Sequence, residues 1–376
     1  MHPMICLSSL RPYLVGAGLM VSITACGTGE SDAQTMEFEE YNPPSTLVVP
    51  EHPTTRAKYP FVDIHSHHWR MATQDLEQLR DEMDALNMGV IVNLSGRTGS
   101  DLKAMTDHIA EAEEPNRFVV FANVDFEGIG TEGWGERAAA QLAEDVKNGA
   151  VGLKIYKSLG LTTTDSQGNR VTVDDPRIAP VWEMAAELGI PVLIHSADPK
   201  PFWQPMDANN ERWLELKTHP RRQRGADNPA PWETIIAEQH RMFKRHPNTT
   251  FINAHFGWYA NDLAQLGELM DEMPNMYVEF GAVIAELGRQ PQNARDFFIQ
   301  YQDRILFGKD AYHPEEYYTY FRVLETNDEY FPYYKKYHAF WSMYGLNLPD
   351  EVLRKIYYKN ALTILPTLDK SLFPQD

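Results

Sequence analysis

Phe61-Val-Asp-Ile-His-Ser-His67 is the stretch whose residue types could do chemistry most directly. Side chains two apart on a strand point the same way, so Asp63, His65 and His67 share one face, with both imidazoles near the strand end. Two neutral imidazoles at that spacing can chelate one Zn²⁺, Fe²⁺ or Mn²⁺. An isolated His-x-His is as often a pair of surface histidines, so its partners decide. Three later segments supply them: Pro191-Val-Leu-Ile-His195, Phe251-Ile-Asn-Ala-His255 and Ile305-Leu-Phe-Gly-Lys-Asp310. Each is an apolar run that closes on a group able to hold a metal or move a proton. Any one alone would read as a hydrogen-bonded histidine or a helix-capping aspartate. Such residues at the tips of four strands are hard to attribute to chance.

The elements that must position these residues alternate in type. Short apolar runs occupy Phe61–His67, Gly89–Leu94, Arg117–Asp125, Ala150–Tyr156, Pro191–Ser196, Thr250–His255, Met276–Phe280 and Ile305–Asp310. Between them lie amphipathic helical patterns, such as Asp75–Asn87, Glu136–Lys147, Ile178–Leu188, Trp232–Arg245 and Asp262–Glu272. Alternating β and α segments imply parallel strands with right-handed crossovers. Eight repeats predict a closed (β/α)8 TIM barrel over residues 59–376. An open doubly wound sheet is the alternative, but no G-x-G-x-x-G follows the first strand. In a barrel the strand tips form one ring, and loops 157–176 and 197–231 leave that same end.

The set resembles the amidohydrolase superfamily, and within it the amidohydrolase-2 group of decarboxylases, lactonases and hydrolases of small carboxylated compounds. The resemblance spans roughly residues 59–367. It rests on His65-Ser-His67, His195, the His255-Phe-Gly257 turn, Gly308-Lys-Asp310 and the Lys359-Asn-Ala361 helix. It implies that His65, His67, His195 and Asp310 are metal ligands, that His255 is an acid/base or oxyanion-side group, and that Asp310 shares in catalysis. Lys309 departs from the pattern, which has a small residue there. One divalent ion, Zn²⁺, is expected. A second metal bridged by a carbamate on Lys154 is the alternative, since some superfamily members use a strand-four lysine so. Otherwise Lys154 is a cation for a substrate carboxylate. Tyr156 and Arg97 are further candidates for substrate contact, and the expected partner is a small anionic molecule.

Two segments are read more openly. The loop after strand five carries Lys200, Arg212, Lys217, Arg221, Arg222 and Arg224, interleaved with Phe202, Trp203 and Trp213. It would suit an anionic or sugar-like substrate, or it is a solvated loop with local ion pairs. Segment 326–348 is rich in Tyr, Phe and Trp. It is a cover for the barrel mouth, a homo-oligomer contact or a packed helical insert.

The N-terminus reads as export. Residues 12–25 form an apolar run too short to span a bilayer comfortably, and it ends Ile23-Thr24-Ala25-Cys26. That ending resembles the bacterial lipobox, which implies cleavage of a signal peptide, residues 1–25, and lipidation of Cys26. Residues 26–58, rich in Gly, Ser, Thr, Glu and Pro, read as a flexible tether. The expected location is the bacterial cell envelope, with the membrane met only through the lipid. The two cysteines, Cys6 and Cys26, both lie in this region, so a thiolate metal site is excluded from the folded part. A net charge of -19 excludes nucleic acid as a partner.

Three functions remain: a metal-dependent hydrolase, a carboxy-lyase on the same ligands, and a non-catalytic surface binding protein, which would be expected to lack a ligand. The anchor is tested by fractionation. The chain should begin at Cys26, carry acyl groups and partition with membranes. Changing Cys26→Ser should release it or leave the precursor uncut. A Cys26→Ser protein cleaved and distributed like the wild type would overturn the assignment.

Overall fold

The computed structural model describes residues 36–375. The expected signal peptide and lipid-bearing Cys26 lie outside them. The chain divides into two units, residues 1–44 and 45–376. The described part of the first holds one turn, with Glu40 N–H donating to the Glu37 carbonyl. All else here concerns the second. Among the described residues no helix is long and apolar enough to cross a membrane.

Eight parallel strands follow one another in spatial order: β1 Phe61–Ser66, β2 Met88–Asn93, β3 Phe118–Asn123, β4 Ala150–Ile155, β5 Val192–Ile194, β6 Phe251–Asn253, β7 Met276–Glu279 and β8 Ile305–Leu306. Their residues are nearly all buried, as expected where helices cover the outside and side chains fill the inside. Closure runs from β8 to β1: Ile64 N–H donates to the Phe307 carbonyl (3.0 Å) and Asp310 N–H to the His65 carbonyl (2.7 Å). The fold is the expected (β/α)8 barrel.

Helices occur where periodicity places them, at Leu76–Leu86, Trp134–Lys147, Ala179–Glu187, Trp232–Arg245 and Leu263–Glu272. Asp75 caps the first by accepting from Gln78 N–H, and Asn87 ends it in the left-handed region at φ 68°. Asn360 ties the C-terminal helical segment to β8, donating to the carbonyls of Gln302 and Ile305 at 2.7 Å each.

The strands are shorter than the apolar runs. β1 stops before His67, β5 before His195, β6 before His255 and β8 before Asp310. Two of these residues have left the extended region: His255 has φ 58° and Asp310 φ 83°. Segment 326–348 is not helical. Its Phe331–Pro332 and Ser342–Met343 pair antiparallel, and Trp341 Nε1–H reaches the Ala285 carbonyl beyond β7. Residues 52–58, assigned above to the tether, lie on the barrel: Ala57 is buried and His52 meets Asp328 at 2.7 Å.

One close approach sets a stability test. Gly152 on β4 is paired with Phe121 on β3, and a Cβ at 152 would sit 2.4 Å from the Phe121 ring. Gly152→Ala should therefore destabilise by about 1–3 kcal/mol, the usual cost of overpacking a core. The urea midpoint should fall with the slope unchanged, and an unshifted midpoint would contradict the packing.

Candidate metal centre and active site

His65, His67 and Asp310 each bring one ligand atom to within 4.8 Å of the others. His65 Nε2 lies 3.5 Å and His67 Nε2 3.6 Å from Asp310 Oδ1. Those gaps are too long for good N–H···O bonds. They are close to the ~3.3 Å that separates two ligands of a tetrahedral ion with bonds of ~2.0–2.1 Å.

Hydrogen-bond partners fix which nitrogen of each ring is bare. His65 Nδ1–H donates to Glu279 Oε1 at 2.8 Å, which leaves Nε2 as a lone pair toward Asp310. His67 Nδ1 meets Ser95 Oγ at 2.8 Å, and with that nitrogen as donor its Nε2 is also bare. His195 does not join the three directly. Its Nδ1 is 3.3 Å from His255 Nε2. His255 Nδ1–H donates to the Gly281 carbonyl at 2.6 Å, so neutral His255 accepts at Nε2 from His195. That chain leaves His195 Nε2 as a lone pair, buried and without a partner among the described residues. A buried polar atom left unsatisfied is costly. The donor set, three imidazole lone pairs and a carboxylate, fits a divalent ion of the Zn²⁺ or Mn²⁺ kind.

The electrostatics agree with neutral imidazoles. Burial pushes His67 down to about 4, and Lys154 adds to the effect. Burial likewise holds His65 and His195 well below the usual histidine value. Burial would raise Asp310, but the attraction of the surrounding His65, His255 and His67 rings and of Lys154 outweighs it and holds the carboxyl at about 2. Lys154, on β4, is brought down to about 8 by burial. Its Nζ is 3.5 Å from His65 Nε2 and 5.6 Å from the centre of the Tyr156 ring. None of the described ion pairs involves it, so it is a buried cation without a carboxylate partner.

Other expected residues go elsewhere. Asp63 does not share the histidines' task. Its carboxylate accepts from the N–H groups of His65 (3.0 Å) and Lys309 (3.2 Å) and from Tyr317 Oη–H (2.5 Å). Arg97 is not brought to the cluster, and its exposed guanidinium pairs with Asp101 at 3.0 Å. Tyr156 does reach it: its hydroxyl meets Ser95 Oγ at 3.1 Å and its ring stacks near His67. In the loop after β5, Lys200 pairs with Glu233, Arg212 with Glu215 and Glu286, Arg222 with Glu215, and Arg224 with Asp198. Phe202 and Trp203 are buried. These groups are spent on the fold. Lys309, the departure from the family pattern, pairs with Glu316 between the rings of Tyr317 and Tyr334.

Four contributors were not expected from the sequence: Glu279, Ser95, Trp69 and Trp258. Trp69, about half exposed, stacks on His67 at 5.7 Å between ring centres and on Tyr156 at 5.6 Å. Trp258 stacks on His255 at 4.6 Å. It ends a run, His255-Phe256-Gly257-Trp258, in which every residue has positive φ. Left-handed conformation costs of order 1 kcal/mol or more per non-glycine residue, and such strain collects at functional sites.

A closed barrel with histidines and an aspartate at the C-terminal ends of its strands is a scaffold able to hold a divalent ion. The chain belongs to the amidohydrolase family, whose model matches residues 48–367. Solved structures share the fold. A dihydroxybenzoic acid decarboxylase from Polaromonas, holding manganese and the inhibitor 2-nitroresorcinol, aligns with TM-score 0.52 at 14% identity, covering 84% of this chain and 99% of that one. A 2,6-dihydroxybenzoate decarboxylase from Rhizobium aligns with TM-score 0.50 at 16% identity, and an uncharacterised TIM-barrel protein of Bordetella bronchiseptica with 0.51 at 17%, each covering 82% of this chain and 99% of the other. No curated protein matches the chain.

The burial makes a prediction of its own. A histidine whose pKa is lowered is neutral at every pH above the lowered value. In metal-free protein followed by NMR, His65, His67 and His195 should show no titration between pH 5 and 8. A midpoint near the ordinary ~6.5 at any of them would show that solvent reaches the ring.

Proposed function

We propose that the chain is a metal-dependent hydrolase of a small carboxylated substrate, with one divalent ion held by His65, His67, His195 and Asp310. The observation that carries the reading is the pairing of an unsatisfied His195 Nε2 with the buried, unpaired Lys154. One wants a cation and the other an anion, and Lys154 Nζ lies 3.5 Å from His65 Nε2, which itself faces Asp310. When bound, the ion polarises a carbonyl and makes water acidic near neutral pH. Lys154 Nζ binds the substrate carboxylate, while Trp69 and Tyr156 offer ring faces to a planar substrate. Asp310, held far below the usual carboxylate range, stays an anionic ligand. His255 Nε2, beside His195 at 3.3 Å, takes the proton, leaving that contact to do so. Lys154 serves as an amine in this reading, and a carbamate there is the two-metal alternative. We place the enzyme at the bacterial cell envelope, held by a lipid on Cys26.

A carboxy-lyase is the second reading. It is favoured by the same Lys154 and by the stacked Trp69 and Tyr156, which would suit an aromatic acid such as those the Polaromonas and Rhizobium proteins are named for. There His255 must first take up a proton on Nε2, which then passes to the carbon as the C–C bond to the carboxylate breaks and CO2 leaves.

His67→Ala should lose both metal and activity. His255→Gln should keep the metal, while turnover falls ~10²–10⁴-fold, the usual contribution of a placed acid or base. The substrates are a panel of lactones, amides and aromatic acids, scored for ring or amide opening and for CO2. Release of CO2 without hydrolysis would select the carboxy-lyase. Full activity in His255→Gln would remove it from the mechanism, and loss of metal would make it a ligand.

A further inference from the structure

Glu279 closes β7 with a fully buried side chain. No lysine or arginine pairs with it among the described ion pairs. Three N–H groups converge on it instead. Oε1 accepts from His65 Nδ1–H at 2.8 Å and from His255 N–H at 2.8 Å, and Oε2 accepts from Gly281 N–H at 2.6 Å. The first sets the tautomer of His65. The second holds the first N–H of the left-handed His255–Trp258 turn. The third shapes the Gly281 loop, whose carbonyl accepts from His255 Nδ1–H. One carboxylate thus orients His65 directly, and His255 at both backbone and ring.

Space is reserved for it. A Cβ at Gly308 would lie 2.3 Å from Glu279 Oε2 and 3.0 Å from His65 Cβ. The glycine of Gly308-Lys-Asp310 is where the carboxylate fits between β7 and β8.

We infer that Glu279 is the positioning residue of the site: it keeps His65 protonated on Nδ1, so that Nε2 is free for a cation, and it holds the His255 turn against its strain. A ligating imidazole that donates its other N–H to a carboxylate is fixed in orientation and made more basic. Glutamine is a poor substitute, because an oxygen kept at Oε1 for His65 and His255 turns its NH2 on Gly281 N–H, and aspartate is worse, because its shorter chain cannot reach the ring. The inference about cation affinity rests on the metal reading above, and the tautomer does not.

The whole chain, ¹⁵N-labelled at histidine and stripped of metal, is compared as wild type, Glu279→Gln and Glu279→Asp. Wild-type His65 should give the signals of an Nδ1-protonated neutral ring, and Glu279→Asp, which cannot reach that nitrogen, should lose the preference, while Glu279→Gln keeps it in part. Zn²⁺ affinity, measured by competition with a chelator, should weaken ~10–100-fold. A purely structural role would lower the melting temperature and leave His65's signals unchanged. Unchanged Zn²⁺ affinity together with unchanged His65 signals in Glu279→Asp overturns the inference. Should neither variant fold, the wild type still decides, since a His65 protonated on Nε2 overturns it. A wild type with normal His65 signals that binds no Zn²⁺, Mn²⁺ or Fe²⁺ would sink the metal reading and leave the tautomer assignment standing.

Discussion

β8 contributes two residues to the sheet, and the barrel closes across it. What holds that seam beyond the ladder is Asp63. Its carboxylate reaches the N–H of His65 on its own strand and the N–H of Lys309 beyond β8, and Tyr317 supplies a third donor from the helix Pro314–Glu325. Burial pushes this carboxyl up to about 7, in spite of three donors that pull it down. A buried acid is a costly way to close a barrel unless every lone pair facing protein is used. Here the contact fixes the residue before Asp310 against the backbone of His65. The two ends of the strand cycle, far apart in sequence, thereby set the spacing of the metal-capable cluster.

The same economy runs around the rim. Each strand stops where its chemistry begins, and several residues there adopt backbone angles that cost free energy: Arg97, Ala197, the His255 turn, Ala282 and Asp310 all have positive φ. Burial adds a second cost, because three imidazoles are held neutral and one lysine lies without a direct ion pair among the described residues. These local penalties persist because the packed barrel over-determines the positions. The site is thus built on the rigid end of the molecule, where strand tips fix Cα positions and hydrogen bonds from Glu279, Ser95 and Gly281 fix the rings.

The sequence made the barrel legible because period-2 apolar runs and period-3.6 helices alternate without interruption. The site was legible wherever a polar residue closed an apolar run, as at His195, His255 and Asp310. Glu279 gives the same signal at the end of Met276–Phe280, yet a glutamate after a short strand reads as an ordinary solvated acid until its partners are known. Asp63 was assigned to the histidines' face by strand parity. The register shift between Asp63 and Ser66 breaks that parity, and its carboxylate serves the backbone. Arg97 looked available because sequence does not show that its guanidinium turns to Asp101 on the helix that follows. The aromatic segment 326–348 forms one short antiparallel pair in place of a helix, and several of its rings pack on one another, as Tyr330 on Tyr344 and Tyr333 on Tyr334.

Charge decides how an anionic substrate of the proposed kind would be recognised. A chain at -19 repels anions at long range. At physiological salt that repulsion is screened beyond ~8 Å, so recognition must be local. The loop after β5 looked like the source of positive potential, but Lys200, Arg212, Arg222 and Arg224 are each matched to an acid. Lys154 is different, because it is buried and unmatched. In a low-dielectric pocket an unpaired cation attracts a carboxylate far more strongly than a surface lysine does. Asp310 and Glu279 offset part of the cost of burying it, and a substrate carboxylate bound directly at Nζ would offset more.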